Sequence, residues 1–337
     1  MSFTDTWLPL AGGLILLIAG GEFLVRGAVQ VAARLGVSPL VIGLTLVGFG
    51  TSTPELVTSV DAALRGYPGI AYGNIVGSNI ANILLILGLS ALVYPIAVTA
   101  RALRRDSMVM LGVAVVFAAV AAMAPIGPAM GGVFVAALAT YVFLAFRQER
   151  ASARTSPETD REDAHGAVYD KSMATQGADP ALAPAAEPRQ SIVTSLLTAA
   201  AGLGAVVLGG NFLVDGSVSL ARAFGISETV IGLTVVAVGT SMPELATSVV
   251  AALRRQTDVA FGNIVGSNIY NILGIGGVTG LMVETNVPAQ IVAFDNYAMI
   301  GATLLVIAMA LTGGRICRTE GGILLAGYAA YVWWIWP

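Results

Sequence analysis

The chain has 337 residues, of which 56% are hydrophobic and only 11% charged, with a net charge of −3 and a mean hydropathy of +0.82. A soluble globular chain carries about 25% charged residues, so this composition excludes an ordinary water-soluble domain and leaves room for roughly ten membrane spans of about 20 residues. The small net charge, with no basic cluster beside aromatics, gives no footprint for nucleic acid.

The single cysteine, Cys317, excludes an internal disulfide framework, and the single histidine, His165, lies in a polar stretch away from any metal or catalytic grouping. The N-terminal stretch MSFTDTWLPL lacks the positive region of a cleaved signal peptide, so the first apolar run is expected to remain as a span. Apolar runs predict helices at about 7–25, 39–64, 70–98, 107–124 and 127–146. A second series follows at about 192–214, 228–253, 259–283, 292–313 and 320–336. Between the series, residues 147–191 are rich in Ala, Pro, Ser, Thr and charge, and read as a flexible linker too short for a further domain. The organisation is therefore a first half (1–146), a linker and a second half (192–337).

The halves carry an internal repeat. The 46 residues from Gly43, GLTLVGFGTSTPELVTSVDAALRGYPGIAYGNIVGSNIANILLILG, align without gaps to those from Gly232, at a constant offset (244 − 55 = 189), with roughly two-thirds of positions identical. Upstream, GGEFLVRGAV at Gly20 matches GGNFLVDGSV at Gly209. Of the 17 Lys and Arg residues, 15 fall in alternate loops on one side, the linker's side, against Arg65 and Arg222 on the other. The positive-inside rule then places the linker in the cytoplasm and both termini outside, in a multi-pass protein of the inner (plasma) membrane. Five spans per half invert the second copy, so Arg65 and its counterpart Arg254 fall on opposite sides. The expected fold is an all-α polytopic membrane protein of ten transmembrane helices in two inverted five-helix repeats.

Chemistry concentrates in Gly50-Thr51-Ser52-Thr53-Pro54-Glu55 and its copy Gly239-Thr240-Ser241-Met242-Pro243-Glu244. A carboxylate at membrane depth is costly and marks a functional site by default. Pro54 and Pro243 lack an N–H, so the carbonyls four residues earlier, at Gly50 and Gly239, lose helical partners. Thr51 and Glu55 share a helix face with Ser52 beside them, as do Thr240, Glu244 and Ser241. Carbonyl, hydroxyl and carboxylate oxygens are hard ligands suited to Na⁺ or Ca²⁺. The next span adds Asn74, Ser78 and Asn82 every four residues, and Asn263, Ser267 and Asn271 in the copy. Ser78, Asn82, Ser267 and Asn271 read as ligands. For Asn74, Asn79, Asn263 and Asn268, ligation and interhelical hydrogen bonding stand equally open. Glu22 and Arg26 read as an interfacial i,i+4 pair, Asp61 as a solvated residue at the outer mouth, and Asp258 and Asp295 as loop or span-end charges. Trp333, Trp334 and Trp336 read as an interfacial aromatic belt.

With two G-T-S-x-P-E and two G-N-x-x-G-S-N-I-x-N motifs, in order and at equal spacing, the chain resembles the sodium/calcium exchanger family of cation/calcium antiporters, prokaryotic type, over essentially everything outside the linker. The resemblance implies ten helices in two inverted halves. It also implies a shared cation site of Thr51, Ser52, Glu55, Ser78, Asn82, Thr240, Ser241, Glu244, Ser267 and Asn271, with backbone oxygens near Gly48 and Ala237 for sodium. Some relatives carry Asp where this chain has Asn82 and Asn271, so the site has two carboxylates, not three, which tells against potassium co-transport.

The function expected is secondary antiport of Na⁺ against Ca²⁺ by alternating access, with the ions as transported cargo, no cofactor, and no partner required beyond the lipid bilayer. A Ca²⁺/H⁺ exchanger of the same fold is the alternative, because buried glutamates also bind protons. A passive channel is disfavoured by the inverted repeat within one chain. An intramembrane enzyme is disfavoured by the lack of a His, Cys or paired Asp placed as nucleophile or base.

Overall fold

The computed structural model describes residues 6–34, 50–98, 103–155 and 191–336. Nearly all of these are helical. Helices run in order as α1 (Trp7–Arg34), α2 (Thr53–Leu64), α3 (Pro68–Val93), α4 (Arg105–Met123), α5 (Pro128–Thr155), α6 (Ile192–Phe224), α7 (Glu228–Thr240), α8 (Met242–Leu253), α9 (Val259–Met282), α10 (Ile291–Gly313) and α11 (Arg318–Ile335). Helices α7 and α8 form one rod bent by 50°, and α2 is the equivalent of α8 in the first half. The described residues thus make ten rods, five on each side of 156–190, matching the expected count. Seven of the helices are long and apolar enough to cross a membrane, eight spans with the bent pair. Helix α5 continues to Thr155, so the first nine residues of the expected linker extend a helix.

The repeat extends through the whole of each half. A Cβ built on Gly131 would meet the carbonyl of Gly277, and one on Gly321 would meet that of Gly88. The offsets are 277 − 88 = 189 and 321 − 131 = 190, so one residue has been inserted before the last helix. Short strands tie the ends. Ile96–Ala97 (β1) pairs antiparallel with Arg315–Ile316 (β2), and Ile126 bridges Thr285 at the equivalent place in the other half.

Inversion is visible in the packing of α1 on α6. Built Cβ atoms on Gly13, Gly20 and Gly27 meet α6 backbone near Gly209, Gly202 and Ser195 respectively, so the counterpart helices run antiparallel. Glycine is required there: a Cβ on Gly202 would lie 2.3 Å from the Leu24 nitrogen. Without a hydrophobic drive between helices in lipid, close backbone approach is what holds such a pair together. At 28 and 33 residues, α1 and α6 are about 42 and 50 Å long, more than the roughly 30 Å hydrocarbon core.

The other rods gather around α3 and α9, which are buried over most of their length. One apolar cluster joins them to α4, α5, α10 and α11. A separate cluster, from Leu10 and Leu17 to Leu213, Ile231 and Val236, attaches α1 and α6 to α7 and to the near ends of α2 and α3.

Candidate cation site

The site forms where α2 and α8 begin. Pro54 and Pro243 each sit in the first turn of a new helix, a position where the missing N–H costs nothing and the fixed φ is favourable. The preceding serines hold the same non-helical backbone, Ser52 at φ −93°, ψ 12° and Ser241 at φ −82°, ψ 9°. In each repeat a helix therefore begins directly after the serine and presents the glutamate from its first turn. That end is also where the helix dipole favours negative charge.

The two breaks face each other. Ser52 Oγ donates to Glu244 Oε1 at 2.8 Å, and Ser241 Oγ donates to Glu55 Oε1 at 3.1 Å. Ser267 makes a longer contact of 3.5 Å to the same Glu244 oxygen. Both glutamates are 1% exposed, with Ser52, Ser78, Thr240, Ser241, Ser267, Asn82 and Asn271 buried beside them. Among the described residues no group of three or more His, Cys, Asp or Glu side chains gathers, so the site's charge comes from two carboxylates.

Helices α3 and α9 bring the remaining expected ligands. Both pass from α-helix into a π-helical segment, Ala81–Leu87 and Asn271–Gly276, and each segment carries one asparagine at or next to its start. Such π-bulges are frequent at functional sites because they re-aim a side chain and loosen the backbone ladder. Asn82 Nδ2 donates to Asn268 Oδ1 at 2.9 Å, while its Oδ1 accepts no hydrogen bond among the described residues. Among those residues neither amide atom of Asn271 has a hydrogen-bond partner. A buried amide oxygen left this way costs free energy, and a cation that takes oxygen ligands is one group that would satisfy it. The Ala237 carbonyl lies 3.5 Å from Ser78 Oγ and 3.4 Å from Thr240 Oγ1. Thr51 is part-buried at the first break; Gly48 lies outside the described residues.

Several residues behave differently from expectation. Asp295 lies at a span end as expected but is fully buried there, and Tyr331 Oη donates to its Oδ1 at 2.9 Å. Its repeat partner Asp106 (295 − 106 = 189) is equally buried, accepting from Tyr141 at 3.2 Å and from the Arg105 guanidinium at 2.6 Å. Each lies at the start of its span, in or beside a π-helical turn, and its tyrosine comes from the following helix. Asp61 is part of an ion-pair cluster with Arg65, which also binds Asp215 and the Asn211 carbonyl on α6. The Glu22–Arg26 pair forms as expected, and Trp333 and Trp334 are exposed, with Trp334 stacked on Phe294. The side chain of Asp258 lies outside the described residues.

These features can be set beside known proteins. The model of the family described as "Sodium/calcium exchanger protein" matches residues 6–147 and 194–336, nearly all of both halves. The chain belongs to the sodium/calcium exchanger family. Relatives in that family include the putative antiporter CaxA of Alkalimonas amylolytica, 36% identical over 95% of each chain. The sodium/calcium exchanger MaX1 of Methanosarcina acetivorans is 35% identical over 98% of each. Among solved structures, the sodium-calcium exchanger NCX_Mj soaked with Na⁺ and Sr²⁺ superposes with a TM-score of 0.60 and 30% identity, covering 96% of both chains. Exchanger-family membership accords with the two-repeat, all-helical architecture, and makes this an integral membrane protein.

Proposed function

We propose that this protein exchanges Na⁺ for Ca²⁺ across the membrane by alternating access, with both ions using one site built on Glu55 and Glu244. The observation that carries this is the reciprocal bonding of Ser52 to Glu244 and Ser241 to Glu55. It joins the two repeats at one buried point and gives that point a formal charge of −2, matching one Ca²⁺ or two or more Na⁺. Family membership supports cation/calcium antiport as the general activity. The choice of Na⁺ over H⁺ rests on the oxygen chemistry: the two motifs carry neutral hydroxyls at Thr51, Ser52, Thr240 and Ser241, of which Ser52 and Ser241 bond the carboxylates, and such oxygens suit an alkali ion.

Coupling follows from shared ligands. Ions that compete for the same carboxylates cannot cross together, and an unfilled site would carry two buried carboxylates without a counter-charge. That costs several kcal/mol and hinders its transit. Helices α1 and α6 pack on each other through backbone contact and are attached to the rest by their own apolar cluster, so they are the gates of this scheme, with the rods around α3 and α9 as the fixed part. The Lys and Arg distribution supports an inner (plasma) membrane protein with residues 147–191 in the cytoplasm and both termini outside.

The test is Ca²⁺ flux in proteoliposomes with Na⁺, K⁺ and pH gradients imposed one at a time. Uptake driven by the Na⁺ gradient alone is expected. Uptake driven by the pH gradient alone would replace this assignment with Ca²⁺/H⁺ exchange.

A further inference from the structure

Two serines outside the ligand motifs occupy equivalent places behind the site. Ser59 lies one turn after Glu55 on α2, and Ser248 one turn after Glu244 on α8, and both are fully buried. Asn74 Nδ2 donates to Ser59 Oγ at 2.9 Å and to the Glu55 carbonyl at 3.2 Å. Asn263 Nδ2 donates to Ser248 Oγ at 2.8 Å and to the Glu244 carbonyl at 3.3 Å. Asn74 and Asn263 themselves lie one turn before Ser78 and Ser267. Each amide therefore clamps the helix that presents a glutamate to the helix that presents a serine and an asparagine, one turn from the ligands on both sides.

We propose that Ser59 and Ser248 are positioning residues, which act through Asn74 and Asn263 to hold Glu55 and Glu244 in register with the ligands of α3 and α9. The proposal rests on the exchange function given above. A one-residue slide of α2 along α3 moves Glu55 by about 1.5 Å relative to Ser78, enough to spoil a cation site while leaving the helices packed. The hydroxyl matters because an amide hydrogen buried without its acceptor is costly, and the helix relaxes to recover one.

The two clamps are unequal. The Asn74 Oδ1 accepts from Thr240 Oγ1 at 3.0 Å, a residue of the opposite repeat, and from Ser78 Oγ at 3.4 Å. Asn74 thus joins Glu55 and Ser59 to the other half of the site. The Asn263 Oδ1 accepts no hydrogen bond among the described residues. The first clamp fixes both the register within its half and the fit between halves, whereas the second fixes register alone.

Equilibrium binding of radioactive Ca²⁺ to the purified full chain tests this, alongside half-saturation and maximal rate of Ca²⁺ uptake and the unfolding temperature without Ca²⁺. Ser59→Ala is expected to weaken Ca²⁺ binding roughly tenfold, the scale of one lost buried hydrogen bond. Maximal rate should change little, and any fall in unfolding temperature should come together with the loss of affinity. Ser59→Thr, which keeps the hydroxyl, should restore affinity. Ser248→Ala should act in the same direction by a smaller factor, and provides an independent test if Ser59→Ala does not fold. Unchanged Ca²⁺ affinity with a lowered unfolding temperature would assign the serines to packing alone and overturn the proposal, as would a Thr variant no better than Ala. Absence of Ca²⁺ binding in the unsubstituted protein would instead overturn the exchange function on which the proposal stands.

Discussion

Ser52 gives its hydroxyl hydrogen to Glu244, 192 residues away, and not to Glu55 three positions along its own helix break. Ser241 returns the arrangement to Glu55. Each half thus supplies a carboxylate that the other half's break orients. A hydrogen bond to a charged group contributes about 1.5–3 kcal/mol. Ser52→Ala and Ser241→Ala should each weaken half-saturation by Ca²⁺ by about ten- to a hundredfold. A double-mutant cycle between position 52 and position 244, read in Ca²⁺ binding, should give a coupling energy above about 1 kcal/mol.

The glycines that join α1 to α6 make a second expectation. A Cβ at Gly202 would come within 2.3 Å of the Leu24 backbone nitrogen, whereas one at Gly204 meets nothing within 4 Å. Overpacking of this kind costs about 1–3 kcal/mol. Gly202→Ala should lower the unfolding temperature of the detergent-solubilised protein by several degrees and slow exchange, while Gly204→Ala should leave both unchanged.

Arg65 and Asp215 connect the end of α2 to α6, but their side chains are 32% and 51% exposed. Exposed pairs contribute about 0–1 kcal/mol and are screened by salt. Arg65→Gln should therefore change stability by less than about 1 kcal/mol. Any effect on transport rate should shrink as ionic strength is raised with an impermeant salt.

The buried aspartates should behave unequally although the repeat makes them equivalent. Asp106 is fully buried against Arg105, whose side chain is 21% exposed, whereas Asp295 accepts from the neutral Tyr331 hydroxyl and forms no ion pair among the described residues. Removing one partner of a buried ion pair is costly, about 3–5 kcal/mol at full burial. Asp106→Asn should destabilise the protein more than Asp295→Asn, which keeps an oxygen to accept from Tyr331. Thermal unfolding of the two variants side by side checks the order.

Much of this was legible in the sequence for a physical reason. A membrane span needs a long apolar run, and a carboxylate inside one stands out. Near-identical motifs at a constant offset of 189 then exposed both the repeat and the placement of Glu55 and Glu244. What stayed hidden depends on contacts between distant elements. Asp295 opens a span beside another polar residue, so it read as an end charge; the Tyr331 hydroxyl that meets it in the interior comes from 36 positions on. Asp215 breaks the pattern of its counterpart Arg26, and its partner Arg65 lies 150 residues away. Nothing in the sequence marks Ser59 and Ser248. Only the placement of Asn74 and Asn263 gives them a role.

The central claim is that one site needs a carboxylate from each repeat. Glu55→Gln and Glu244→Gln, made singly and reconstituted into Na⁺-loaded proteoliposomes, test it through Ca²⁺ uptake. Each substitution removes half of the site's charge, so each alone should abolish exchange. Uptake at the unsubstituted rate in either single variant would contradict a shared site.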